Sequence, residues 1–85
     1  MKHSASSSFW AAYDVLPENI RALADKSFAL LKQDPAHPSV RLKPVGRYRS
    51  ARVGLHYRAL GVPVDGGIVW FWIGAHTDYE RIIRR

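Results

Sequence analysis

The chain predicts an α+β domain, with a helical hairpin first and a meander of strands after it. Three observations carry that expectation. Between Phe9 and Gln33 the apolar residues recur at helical spacing. Asp34-Pro35-Ala36-His37-Pro38 then places two prolines within four residues, which no helix continues through. From Val40 onward apolar and polar residues alternate between glycine turns, the period of half-buried strands. The expected architecture is one domain over residues 1–85. Its hairpin packs on one face of a twisted antiparallel sheet, and a short helical turn closes the chain.

Taken in order, Met1 to Ala5 is polar and fits either a short edge strand or an unstructured tail. Ser6, Ser7 or Ser8 suits a helix N-cap, since a serine oxygen accepts from free N–H groups of the first turn. Phe9, Trp10, Tyr13 and Leu16 form a stripe, and Pro17 ends that helix while suiting the start of the next. Glu18 favours the positive end of the second helix. Ile20, Leu23, Ala24, Ser27, Phe28 and Leu31 mark its inner face. Val40 to Val45, Tyr48 to Val53 and Tyr57 to Val62 then read as three strands, separated at Gly46-Arg47 and at Gly54. After Pro63 to Gly67, Ile68 to Ile73 is an unbroken run of β-branched and aromatic residues. That composition suits a strand buried on both faces in the middle of the sheet. Thr77 or Asp78 can cap a last helical turn in which Tyr79, Ile82 and Ile83 share a face.

Six apolar residues cannot span a bilayer, and no secretory leader is apparent, so a cytoplasmic protein without a membrane role is expected. The chain has no cysteine, which excludes disulfides and thiolate metal sites. Thirteen Lys and Arg against seven Asp and Glu give a net charge of +6, which suggests a polyanionic partner.

Alternation also nominates a site. With both helices on one side, Arg52 leaves the sheet opposite Ala51 and Val53, and Arg58 opposite Tyr57 and Ala59. The aromatic strand delivers His76 and Tyr79 at its exit. Trp70, Trp72 and His76 have the same parity and are expected on one face. Lys43, opposite Leu42, joins Arg52, Arg58, His76 and Tyr79 there, while Arg47 and Arg49 suit solvated surface or loose phosphate contact. Guanidinium groups bind phosphate bidentately and imidazole is the usual acid–base group near neutral pH. Phosphodiester chemistry needs those types: a base, an acid, and cations for the charge between them. No cofactor and no metal are called for. The two indoles fit the core better than a base-stacking floor, since burial is the commonest use of an indole.

The segments F-W-A-A-Y-D-V-L-P-E-N-I-R-A-L-A, Q-D-P-A-H-P-S-V-R-L-K, S-A-R-V-G-L-H-Y-R-A-L-G and I-V-W-F-W-I-G-A-H-T-D-Y-E-R-I-I occur in that order. Together they resemble the RelE/ParE superfamily of bacterial toxins, from about Phe9 to Ile83, and especially a ParE-like or HigB-like branch. The resemblance implies a microbial-RNase-like fold, often with an extra N-terminal edge strand. It implies an antitoxin partner that covers the basic site, as in type II toxin–antitoxin modules. It further implies cleavage of messenger RNA in the ribosomal A site without a metal. There the ribose 2′-hydroxyl attacks its own phosphate, leaving a cyclic phosphate and a free 5′-hydroxyl. On that resemblance Arg58 matches the arginine on the scissile phosphate and Arg52 the basic residue of the neighbouring strand. His76 holds the place of a histidine or arginine after the last strand, Tyr79 that of a C-terminal aromatic, and Lys43 that of a lysine after the helices.

The strands show no obvious acidic base, and lysine-rich loops are missing. Two other readings therefore stand beside the nuclease: a ParE-type toxin that inhibits DNA gyrase, and a scaffold that only binds its antitoxin or nucleic acid.

Overall fold

Of the polar stretch Met1 to Ala5, Met1 lies outside the described residues and the rest is a strand. In the computed structural model, which describes residues 2–84, Lys2–Ala5 (β1) pairs in parallel with the aromatic strand, Lys2 against Gly67 and Ala5 against Trp70. Ser6 caps the first helix, Ser7–Asp14 (α1), its hydroxyl accepting from the Phe9 N–H at 3.4 Å. Pro17 stands at the N-cap of the second, Glu18–Gln33 (α2). The later elements are Lys43–Val45 (β2), Tyr48–Val53 (β3), Tyr57–Val64 (β4), Gly67–Ala75 (β5) and His76–Ile83 (α3).

The sheet runs β1-β5-β4-β3-β2, antiparallel throughout except for β1. The expected antiparallel sheet is thus mixed. The central strand is β4, and the aromatic β5 lies between it and the edge strand. β5 is buried mainly on its helix side, where Ile68, Trp70 and Ile73 are covered, while Val69, Phe71 and Trp72 are half-buried. Of the strand expected over Val40 to Val45, only Lys43–Val45 pairs. Arg41 takes a left-handed φ of 49°, which breaks the extended run. Val40 turns inward instead, 1% exposed, and its carbonyl accepts from the Arg52 N–H at 2.6 Å.

Both N-terminal helices lie against one face. Leu16, Ala24 and Leu31 meet Ala51, Val53, Ala59, Trp70 and Ile73 there, with Phe9, Tyr13 and Phe28 partly buried around them. A Tyr13 hydroxyl donating to Asp25 at 2.8 Å ties α1 to α2. An apolar cavity of about 80 Å³ remains between helices and sheet. His3 extends this layer: its ring lies nearly parallel to that of Trp70, centroids 6.2 Å apart, and the Trp70 indole N–H donates to His3 Nδ1 at 3.2 Å. Burial, then neighbouring positive charge that includes Lys32, holds the His3 pKa below its ordinary value.

The opposite face is set by one irregularity. β4 and β5 keep register from Tyr57↔Ala75 to Leu60↔Trp72, then resume at Gly61↔Trp70, leaving Phe71 unpaired as a β-bulge. The two tryptophans therefore separate. Trp70 lies over Gly61 with the helices, and Trp72 lies over Gly74 on the other side. Equal parity had predicted one shared face, and the extra residue reverses that relation. Ser8 Oγ donates to the carbonyl of the bulged Phe71 at 2.8 Å, which satisfies a group the ladder leaves free.

Candidate functional site

On the face away from the helices, three strands place Arg52, Arg58 and Gly74 in one cross-strand row. The next row along is Ser50, Leu60 and Trp72, with Lys43 opposite Ser50. Leu60 is 0% exposed and Ser50 1%, so this face has a small buried floor of its own. Gly74 admits the Trp72 indole: a Cβ there would lie 2.5 Å from a ring carbon.

The two guanidinium groups are tethered without being neutralised. Arg52 Nε donates to the Gly54 carbonyl at 3.0 Å, and an Arg58 terminal nitrogen donates to the Tyr57 carbonyl at 2.8 Å. Each bond leaves other donors of the fork available. No carboxylate lies within ion-pair distance of either arginine among the described residues. Burial holds the Arg58 pKa below its ordinary value, and the positive charges of Arg52 and Arg41 add to that, opposed by Tyr79 and Glu80. An arginine so placed remains charged. The site is therefore a concentration of positive charge that an anion would relieve.

β5 ends at Ala75, and His76 is the first residue of α3, not a loop residue ahead of a Thr77 or Asp78 cap. Ala75 holds the N-cap position without a side-chain bond. The His76 N–H, one of the free donors of that first turn, is instead bound by the His56 carbonyl at 2.7 Å. Asp78 lies within the first turn and pairs with Arg81. One turn on, Tyr79 is 5% exposed, with its ring centroid 5.7 Å from that of His76. His76 Nε2 lies 3.3 Å from a carboxylate oxygen of Glu80. A carboxylate only accepts, so toward Glu80 it is Nε2 that can donate, and Nδ1 is the other ring nitrogen. The His76 and Glu80 side chains are 43% and 37% exposed.

The remaining nominees divide. Lys43 is exposed on the arginine face. Arg47 lies in the β2–β3 turn with its guanidinium 5.4 Å from the Tyr48 ring centroid. Arg49 pairs with Gly61 and so leaves on the helix side, away from Arg52. His37 is a loop residue, with Nδ1 accepting from the Ser39 N–H. Two groups were not nominated from the sequence. Glu80 was legible as the i+4 neighbour of His76. Arg41 enters only because its backbone turns left-handed. No three His, Asp or Glu side chains are grouped to hold a metal among the described residues, and no helix there is long and apolar enough to cross a membrane.

A five-stranded mixed sheet with three helices is the fold of RelE-like toxins, and solved structures match it over nearly their whole length. The toxin of the RelB–RelE antitoxin–toxin complex from Methanococcus jannaschii superposes with a TM-score of 0.72 at 13% identity, covering 93% of this chain and 96% of that one. YafQ from Escherichia coli gives 0.72 at 14% identity, covering 92% and 96%. A Helicobacter pylori toxin gives 0.66 at 14% identity, covering 92% and 97%. No family model matches the sequence, nor does any curated protein. At these identities the likeness is one of fold, and the chain shares the RelE/YafQ-type fold that its sequence resembles.

Proposed function

We propose that this chain is the toxin of a type II toxin–antitoxin module and a metal-independent endoribonuclease that cuts messenger RNA at the ribosome. The observation that supports it most is the Arg52–Arg58 pair, side by side with no carboxylate at ion-pair distance among the described residues, and the His76–Glu80 pair on the adjoining helix. In the proposed reaction a scissile phosphate lies against Arg58 and Arg52. His76 Nδ1 takes the proton of the ribose 2′-hydroxyl as its oxygen attacks phosphorus. The P–O5′ bond breaks, leaving a 2′,3′-cyclic phosphate, and the departing oxygen collects a proton from solvent. The arginines stabilise the charge of the phosphorane between those events. Tyr79, buried beneath the imidazole, positions it. Lys43 and Arg47 meet flanking phosphates, whereas Arg49 contributes only to the general positive field.

The partner that restrains such an activity is an antitoxin whose acidic segment covers the arginine face; among solved relatives of the fold, one is an antitoxin–toxin complex. Primer extension on transcripts after induction tests the reading. Wild type is expected to leave codon-linked ends and arrest growth. His76→Ala is expected to lose about 10²–10⁴ in cleavage, and Arg58→Ala about 10²–10³. Intact transcripts together with a DNA-damage response would replace it with gyrase inhibition.

A further inference from the structure

The arginine face carries a second feature that the proposed chemistry does not use. Tyr48 has the same parity on β3 as Ser50 and Arg52. Its ring meets that of Phe71 across β4, with centroids 5.5 Å apart and planes tilted by 53°. Phe71 reaches this position because it is the bulged residue of β5. Both rings are half-buried, outside the helix-side core. The Arg47 guanidinium lies 5.4 Å from the Tyr48 ring centroid, its Nη2 donating to the phenol oxygen at 3.4 Å. Tyr48 stands four residues from Arg52 along one strand, hence about 13 Å away. A few nucleotides of extended chain cover that distance.

We propose that Tyr48 and Phe71 form a nucleobase-stacking subsite for single-stranded RNA, a short way along the chain from the phosphate held by Arg52 and Arg58. The proposal rests on the nuclease reading and adds where the substrate's bases are held. Aromatic faces beside a cationic track are what single-stranded nucleic acid binds without a base-pairing partner. Arg47 supplies a cation at the platform's edge for the phosphate next to the stacked base. Because stacking accepts any π-face, the subsite favours bases in general, and flat purines most.

The test is equilibrium binding of short single-stranded 2′-O-methyl RNA, which lacks the attacking hydroxyl and is not cut, alongside the same backbone with abasic residues. Wild type is expected to bind the base-bearing chain about 5- to 150-fold more tightly than the abasic one. Tyr48→Leu and Phe71→Leu are expected to lose that preference while binding the abasic chain as wild type does. Tyr48→Phe and Phe71→Tyr should keep it. Should the leucine variants fail to fold, the base-against-abasic comparison on wild type decides alone. Equal wild-type affinity for both chains, with Arg58→Ala still weakening both, overturns the platform and leaves the nuclease reading standing. Unchanged preference in folded leucine variants overturns it likewise. Failure of wild type to bind either chain overturns the platform, whereas the nuclease reading, which concerns RNA held on the ribosome, falls only if primer extension finds transcripts intact.

Discussion

Arg52 and Arg58 face each other across β3 and β4, and that arrangement should cost the fold stability in a measurable way. Directly opposed residues have Cα atoms about 4.5–5.5 Å apart, and like charges there destabilise by about 0.2–1 kcal/mol. Coulomb's law agrees: two unit charges about 7 Å apart repel by about 0.6 kcal/mol at the dielectric constant of water, and more near protein. Replacing one arginine also removes its bond to a carbonyl, Gly54 for Arg52 and Tyr57 for Arg58, worth about 0.5–1.5 kcal/mol. A single variant therefore mixes two effects of opposite sign. The double-mutant cycle Arg52→Met, Arg58→Met and both together separates them, because the two carbonyl bonds are distinct and cancel. Methionine keeps much of the apolar stem. Urea unfolding of the four proteins should give a repulsive coupling of about 0.2–1 kcal/mol at low salt. Raising salt from 0.01 to 1 M shortens the screening length from about 30 to about 3 Å and should erase it. A coupling that is zero, attractive or independent of salt would refute the picture of two unneutralised charges held together for an anion.

The lowered pKa of His3 means that the unfolded chain takes up its proton first, so its contribution to stability is intact above about pH 6.5 and lost as pH falls below it. Urea midpoints from pH 8 to pH 5 should fall less for His3→Gln than for wild type. Gly74→Ala sets a Cβ into the Trp72 ring and should cost about 1–3 kcal/mol, read as a lower midpoint with an unchanged slope. If His76 is the base of the proposed reaction, Glu80→Ala, which frees its imidazole, should lower cleavage by about 10²-fold, the cost of misplacing a reacting group by about 1 Å. Glu80→Gln, which retains an oxygen within the same reach, should recover most of the cleavage rate.

Local pattern was sufficient for most elements, since helical spacing and alternation are properties of neighbouring residues. β3 ran over Tyr48–Val53 as alternation indicated, and α2 ended at Gln33 ahead of the two prolines. Arg52 and Arg58 left the same face because their own strands are regular. Legibility failed where one residue departed from its local period. At Phe71 the bulge reversed the relation between Trp70 and Trp72, and at Arg41 a left-handed turn cut short the strand expected from Val40. The polar β1 carries no apolar signal, because its cohesion comes from the backbone ladder with β5.

What residue order determined by itself was the helix-then-strand succession, the excess of positive charge, and a histidine delivered by the most apolar strand. Those follow from side-chain period, composition and the hydrophobic effect acting over a few residues. Tertiary structure alone decided which strand is central, which tryptophan faces the helices, and which cations stand together without an ion-pair partner among the described residues. Those depend on register between strands distant in sequence, and a single inserted residue changes register without changing composition.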